Sequence, residues 1–320
     1  GNVPVVSLAF LDDCEEWAEL KKKGKAHKQL DATFRRLLRR HLVALPDGSV
    51  ELPVMARAAA DAIAAKGALN GSSRVVNRYP ASVHTFDVKA LCPTVPVFAN
   101  IGLVQLNYGF GAKEINSMCD KIHADGLFVH LNHTQEAVQP EGDTNFEGLY
   151  EKLRAVLPNI KVPVVIKGVG HGIERKWVVK FRDLGVKVVD VSGTGGTSWA
   201  WIEGKRRPNT GPEEENLGYM MRDVGILTDV CLQESRDVAG VQLMAGGGVR
   251  SGVDVAKTLT LGAAWATAAM PFLPAALESS DAVRKVIQRW KLELRVAMFA
   301  CGAANVDEMR KMKPLRNAAL

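Results

Sequence analysis

Six short apolar runs constrain this chain more than any other feature: VPVF at 95–98, LFVHL at 127–131, VPVVIKGV at 162–169, VKVVDVSG at 186–193, VQLMAGGG at 241–248 and AAWATAAM at 263–270. Each is near-continuously apolar rather than alternating, so a strand built from it has to be covered on both faces. Between them lie EINSMCDKIHA at 114–124, IERKWVVKFRDLG at 173–185 and SGVDVAKTLTLGA at 251–263, where apolar residues recur every three or four positions. That spacing predicts amphipathic helices, with Gly185 and Gly262 where helix C-caps belong. Buried strand and amphipathic helix in alternation give a parallel α/β fold.

Two architectures share that rhythm, the doubly wound sheet and the eight-stranded barrel. At least five runs end in loops rich in polar residues or glycine: NIGLVQ, HLNHTQE, KGVGHG, SGTGGTSW and AGGGVRSG. A barrel gathers the C-terminal ends of all its strands around one mouth, whereas an open sheet offers only its switch point. The expectation is therefore an α/β fold of the TIM (β/α)8 barrel type over residues 51–320. Residues 1–50 fit the rhythm poorly and read as an N-terminal cap or insertion that includes a candidate first strand, VPVVSLAF at 3–10. MARAAADAIAAKGALNG at 55–71 reads as a helix leading into GSSR.

The net charge of +6 is concentrated in KKKGK at 21–25 and RRLLRRH at 35–41, without interleaved aromatics. Paired arginines at helical spacing mark a solvated helix face, which argues against nucleic-acid binding and leaves a bias toward anionic small substrates. Five scattered cysteines with no CxxC spacing argue for a reducing compartment and against a disulfide frame or zinc site. No apolar stretch approaches the ~18 residues that span a bilayer, the first residues lack a signal-peptide order, and NAAL is no peroxisomal address, so a cytoplasmic enzyme with no membrane insertion is expected.

Three loops carry the chemistry. In HLNHTQEAVQPEGDTNFEG at 130–148, polar groups outnumber turn formers, which marks a site rather than a turn. In AGGGVRSG at 245–252, three glycines let a ligand approach the backbone. Ser251 there opens a helix whose amides favour an anion, and Arg250 adds a forked donor. SGTGGTSW at 192–199 is a second glycine loop. Lys167, inside an apolar strand, is costly unless it meets an anion or an electron-rich ring. A ribityl phosphate and an isoalloxazine ring would satisfy these loops together.

HLNHTQEAVQPEGDTNF, KGVGHGI, DVSGTGGTSWAWIE and AGGGVRSGVDVAKTLTLGA, in this order and spacing, resemble the type 2 isopentenyl diphosphate isomerase family, over roughly residues 70–310 including the late LRVAMFACGAANVDEM helix. The resemblance implies an FMN-bearing barrel that interconverts isopentenyl and dimethylallyl diphosphate with reduced FMN, Mg2+ and NADPH as reductant, as a homo-oligomer, often a tetramer. It further implies that Arg74, His130 and Asn132 bind the diphosphate, that Gln135 faces the carbon skeleton as the catalytic side chain, and that Glu136 ligates magnesium. FMN would be held by Ser72, Asn100, Lys167, Ser192, Thr197, Gly247, Gly248 and Arg250, with Ala268 and Ala269 near its phosphate. Asp143 and Asn145 read as braces of the loop.

The family's N-terminal Arg-Lys-Asp segment has no recognisable counterpart in residues 1–20, nor is its Met-Thr-Gly-Gly loop found after a first strand; either VPVVSLAF is that strand with a long insertion behind it, or that part lies outside this stretch of chain. Smaller departures are His171 where an aromatic is usual, Gly168 where an acid is common, and AAMPFL without Arg before Pro. Two alternatives are an FMN-dependent 2-hydroxy-acid oxidoreductase and a catalytically impaired flavin-binding scaffold barrel. The first needs a catalytic His and Arg after a late strand, and VSGTGGTSW contains neither. The second is opposed by His130, Asn132, Gln135 and Glu136 occurring together.

Overall fold

Six parallel strands pair in strict sequence order, β1 Phe98–Gly102, β2 Gly126–Leu131, β3 Val164–Gly168, β4 Val188–Asp190, β5 Gln242–Ala245 and β6 Ala263–Ala266. This computed structural model describes residues 75–78, 96–206, 216–278 and 280–312, with Pro80, Val83, Phe86, Asp87 and Lys89. The expectations for residues 1–74, Ser72 and Arg74 among them, lie outside the described residues. A doubly wound sheet reverses its strand order at a switch point; here every crossover steps to the next neighbour, as in a barrel wall.

Side chains alternate across that wall. Phe98, Phe128, Val165, Val188, Met244 and Trp265, one from each strand, pack into a single inner cluster. Their neighbours Ala99, Ile101, Leu127, Val129, Ile166, Val189, Leu243 and Ala263 face the outer layer. Both faces are apolar, which explains why the strands read as continuous runs. In β6 the alternation survives a register irregularity opposite Leu243 and Met244, where Ala264 is the extra residue. The first strand starts at the end of VPVF rather than spanning it: Pro96 has no N–H for a ladder, and pairing begins at Phe98 opposite Gly126.

The connecting helices include α1 Val75–Arg78, α2 Ala112–Lys121, α3 His133–Val138, α4 Leu149–Val156, α5 Arg175–Asp183, α6 Trp199–Arg206, α7 Leu217–Met220, α8 Thr228–Ser235 and α9 Gly252–Thr260. Gly185 and Gly262 close α5 and α9 with φ of +91° and +105°, as C-cap glycines should. Beyond β6 come α10 Leu273–Glu278, α11 Ser280–Ala300 and α12 Val306–Lys311. LRVAMFACGAANVDEM is thus not one helix: Gly302 turns the chain, and the Asn305 side chain caps α12 by accepting from Glu308 N. Helices α9 to α12 enclose their own apolar cluster around Trp290 and Leu294.

Among the described residues no helix is long and apolar enough to cross a membrane. Cys119, Cys231 and Cys301 are free thiols, and burial pushes the first two up to about 12 and about 11, which makes them inert.

Candidate active site at the mouth of the barrel

Strand register lays four residues in one row at the C-terminal end of the wall, Gly102 opposite His130, His130 opposite Lys167, and Lys167 opposite Asp190. This row sits one inward position above the layer of Asn100, Phe128, Val165 and Val188, so the barrel interior turns from mostly apolar to polar within one layer. Asn100 and Lys167 are each 6% exposed and Asp190 0%. Burial raises the pKa of Asp190, while the Lys167 charge and hydrogen bonds from Ser192 oppose that rise. Ser192 N and Oγ both donate to Asp190 Oδ1, at 2.9 and 2.5 Å.

Across β1 and β2, His130 Nδ1 lies 3.3 Å from Asn100 Oδ1. With the amide oxygen as acceptor, Nδ1 carries the proton, and Nε2 lies beside Gly102. The opposite side of the mouth is backbone. A Cβ on Gly196 would stand 2.7 Å from Gly248 N, and one on Gly246 would stand 2.2 Å from Thr267 Oγ1 and 2.7 Å from Ser192 Oγ. The loops after β4 and β5 therefore touch through glycines, and two hydroxyls converge over a third. Thr228, at the start of α8, fastens this junction: its Oγ1 accepts from Gly193 N at 3.0 Å and lies 2.8 Å from Gly246 O.

Three of the buried polar atoms without a hydrogen-bond partner follow or end strands of the wall, others being at His171, Ser235, Trp290 and Arg310. Asp190 Oδ2, Thr267 Oγ1 and Asn132 Oδ1 are buried orphans. Buried polar groups are almost always satisfied, so orphans at strand ends are candidates for a ligand's partners. A flat, hydrogen-bonding ring with an anionic tail matches the set: Lys167 and Asn100 for the ring, glycine amides for the tail, and buried Ala268 and Ala269 beside them. FMN fits the residues present.

Helix α3 carries the remaining group. Asn132 precedes it and donates Nδ2 to Glu136 Oε1 at 2.6 Å, while Asp143 N donates to Glu136 Oε2 at 2.7 Å. Asp143 in turn accepts from Gln105 Nε2 at 2.6 Å, and Asn107 Nδ2 reaches Asn145 O at 2.7 Å, so both residues have bracing partners. Gln135 Nε2 donates to Glu203 Oε1 on α6 at 2.9 Å. Thr197 is exposed on its loop. Arg250 is exposed too, and its guanidinium donates to Gly248 O at 3.1 Å and Gly195 O at 2.6 Å. Its donors staple the two glycine loops to each other.

Sequence reading passed over Asp190, Thr228, Thr267 and Glu203. Asp190 carried a signal, since an acid inside VKVVDVSG is as costly as the lysine in VPVVIKGV. Glu203 lies 68 residues from Gln135, and nothing local marks it.

His171 is a further anomaly: it is 6% exposed with neither ring nitrogen hydrogen-bonded, and its ring centroid is 6.1 Å from that of His133. Burial, and then the His133 charge, push its pKa down from 6.5 to about 4. The folded pKa is depressed, so the unfolded chain takes up the proton first as pH falls. The stabilising contribution is whole above about pH 6.5 and is lost between about 6.5 and 4, on the order of 3 kcal/mol. His171→Phe is expected to fill the same space with nothing to protonate. Urea titrations of both proteins across that window should show the parent losing stability faster toward acid. A stability difference that stays constant would show that His171 is not the responsible group.

The comparisons agree with this geometry. A family model described as FMN-dependent dehydrogenase matches residues 109–314. The isopentenyl-diphosphate delta-isomerase of Nostoc sp. is 41% identical over 241 residues, covering 75% of this chain and 68% of the relative. That of Paracoccus zeaxanthinifaciens is 41% identical over 245 residues, covering 75% and 69%. Among solved structures, a mutant flavocytochrome b2 with benzoylformate superposes with a TM-score of 0.53 at 20% identity, covering 71% of this chain and 56% of that one, a likeness of fold. Together with the strand order, it identifies the described strands as part of a TIM barrel. With its glycine loops, its row of His130, Lys167 and Asp190 and these relatives, the chain belongs to the type 2, FMN-dependent isopentenyl-diphosphate delta-isomerase family.

Proposed function

We propose that this chain interconverts isopentenyl and dimethylallyl diphosphate with reduced FMN and one magnesium ion, NADPH serving as the reductant. The observation that carries the reading is the convergence at one barrel mouth of the flavin-type loops with α3, which bears Gln135 and Glu136. When bound and reduced, FMN supplies the proton donor and acceptor for the allylic shift. Lys167 sets a positive charge at the strand end, and Ser192, Thr197 and the amides around Gly247 and Gly248 take the cofactor's polar edge and phosphate. His130, Asn132 and Arg74 take the substrate diphosphate.

Glu136 offers a carboxylate that accepts from Asn132 Nδ2 and from Asp143 N and supplies the hard oxygen ligand a magnesium ion takes. Among the described residues no group of three His, Cys, Asp or Glu side chains surrounds it. A single carboxylate suits Mg2+, a hard ion that keeps water and phosphate oxygens in its remaining positions. Gln135 turns its amide carbonyl away from Glu203 and contacts the carbon skeleton, where a neutral group lets cationic character develop without being captured. The apolar plug beneath the polar row keeps water from entering from below.

Purified protein mixed with FMN, NADPH or dithionite, Mg2+ and isopentenyl diphosphate should yield dimethylallyl diphosphate, and omission of flavin or metal should stop it. Gln135→Ala is expected to keep its yellow cofactor while kcat falls roughly 100-fold or more. Turnover without flavin would sink the mechanism, and loss of the cofactor from Gln135→Ala would show that this side chain contacts the flavin instead.

A further inference from the structure

We infer that Arg206 is a positioning residue for this reaction, holding the Glu203 carboxylate so that the Gln135 amide keeps one orientation. The inference rests on the role given above to Gln135. Three hydrogen bonds carry it. Gln135 Nε2 donates to Glu203 Oε1 at 2.9 Å, Arg206 Nη1 donates to Glu203 Oε2 at 2.5 Å, and Arg206 Nη2 donates to Glu141 Oε1 at 2.7 Å. Glu203 and Arg206 stand one turn apart on α6, with side chains 2% and 26% exposed, and Glu141 belongs to the loop that follows α3. A line of alternating charge thus runs from solvent inward to the amide: Glu141, Arg206, Glu203, Gln135.

The chemistry of the last link decides its function. An ionised carboxylate can only accept, so it binds the amide NH2 and leaves the carbonyl on the other side. A protonated carboxyl could donate instead, and the amide could then settle the opposite way round. Burying a carboxylate as deeply as Glu203 is costly unless a counter-charge stands beside it. The partners that face it are Arg206 from its own helix and Gln135 from α3. Arg206 is held in turn: burial disfavours its charge, but the hydrogen bonds and charges of Glu141 and Glu203 outweigh that and raise its pKa. A guanidinium spans two carboxylates with separate nitrogens in a fixed plane, which an ammonium does not do.

The test compares holoenzymes carrying Arg206→Met, Arg206→Lys, Glu203→Gln and the Glu203→Gln/Arg206→Met pair, with bound FMN read from its absorbance. Arg206→Met is expected to lower kcat roughly 10-fold to 100-fold, the range that losing a charge-assisted hydrogen bond produces, with KM and flavin content near those of the parent. Arg206→Lys should recover part of the loss. In the double variant, Arg206→Met should add no further loss to Glu203→Gln, because both act through one carboxylate. A parental kcat in Arg206→Met, or losses that multiply in the double variant, would overturn the inference. If Arg206→Met does not fold, Glu141→Gln decides: a severalfold drop in kcat at constant KM supports the inference, and unchanged kcat overturns it. An inactive parent enzyme would instead remove the functional reading on which the inference stands.

Discussion

Asp190→Ala should destabilise the barrel by about 3–5 kcal/mol, the usual cost of removing one of two opposite charges that interact in a buried site. The same change should release the flavin. Asp190 is fully buried at the end of β4, in register with Lys167 on β3, which is itself 6% exposed. Truncation removes both the anion facing that lysine and the acceptor for Ser192 N and Oγ. Asp190→Asn keeps the shape and an acceptor oxygen, so its cost should be smaller, about 1–3 kcal/mol. Urea denaturation would give both numbers, and flavin absorbance after gel filtration would give the cofactor content. If Asp190→Ala lost less than about 1 kcal/mol, the polar row would not be held by charge pairing and Lys167 would have to be stabilised in another way. The order of the two variants matters as much as their size. Near-parental stability in Asp190→Asn beside a large loss in Asp190→Ala would mean that the space, rather than the charge, is what Asp190 supplies.

The fold was legible because its determinants are local. Continuous apolar runs mark strands buried on both sides, and Gly185 and Gly262 mark the ends of α5 and α9; each signal is complete within about a dozen residues. Errors fell where a local pattern competes with pairing. VPVF is as apolar as any strand, yet Pro96 cannot join a ladder, so β1 slides onto FANIG. The late helix breaks at Gly302 because Asn305 offers a new cap. The site was half legible. His130, Asn132, Gln135 and Glu136 share one strand end and one turn of helix, so spacing alone brings them together. Asp190 meets Lys167 through strand register, Thr267 meets Ser192 over Gly246, and Glu203 meets Gln135 from a helix two strands later. No period in the sequence encodes those meetings. Arg250 illustrates the limit from the other direction. Beside three glycines it reads as an anion donor, and only the folded loops show two carbonyls standing within its reach.

Gly247→Ala and Gly302→Ala separate backbone strain from crowding, because both glycines have a φ of +74°. At Gly302 an added Cβ meets nothing within 4 Å, so the left-handed conformation is the whole cost, about 1–2 kcal/mol. At Gly247 the same Cβ would stand 2.1 Å from Gly193 O and 2.8 Å from Thr228 Oγ1. Neither neighbour can yield cheaply. A Cβ position at Gly193 is itself 2.2 Å from Ile226 O, and Thr228 Oγ1 is tied to Gly193 N. Overpacking of this kind adds about 1–3 kcal/mol to the conformational cost. Its larger consequence is geometric, because any relief pushes apart the two glycine loops whose amides are assigned to the flavin phosphate. Gly302→Ala should therefore keep its flavin and lose a little stability, while Gly247→Ala should lose more stability and most of its affinity for FMN, measured by quenching of flavin fluorescence. Equal losses in the two variants would mean that the loop junction adjusts around the methyl group. Parental FMN affinity in Gly247→Ala would mean that the phosphate is held elsewhere in the mouth.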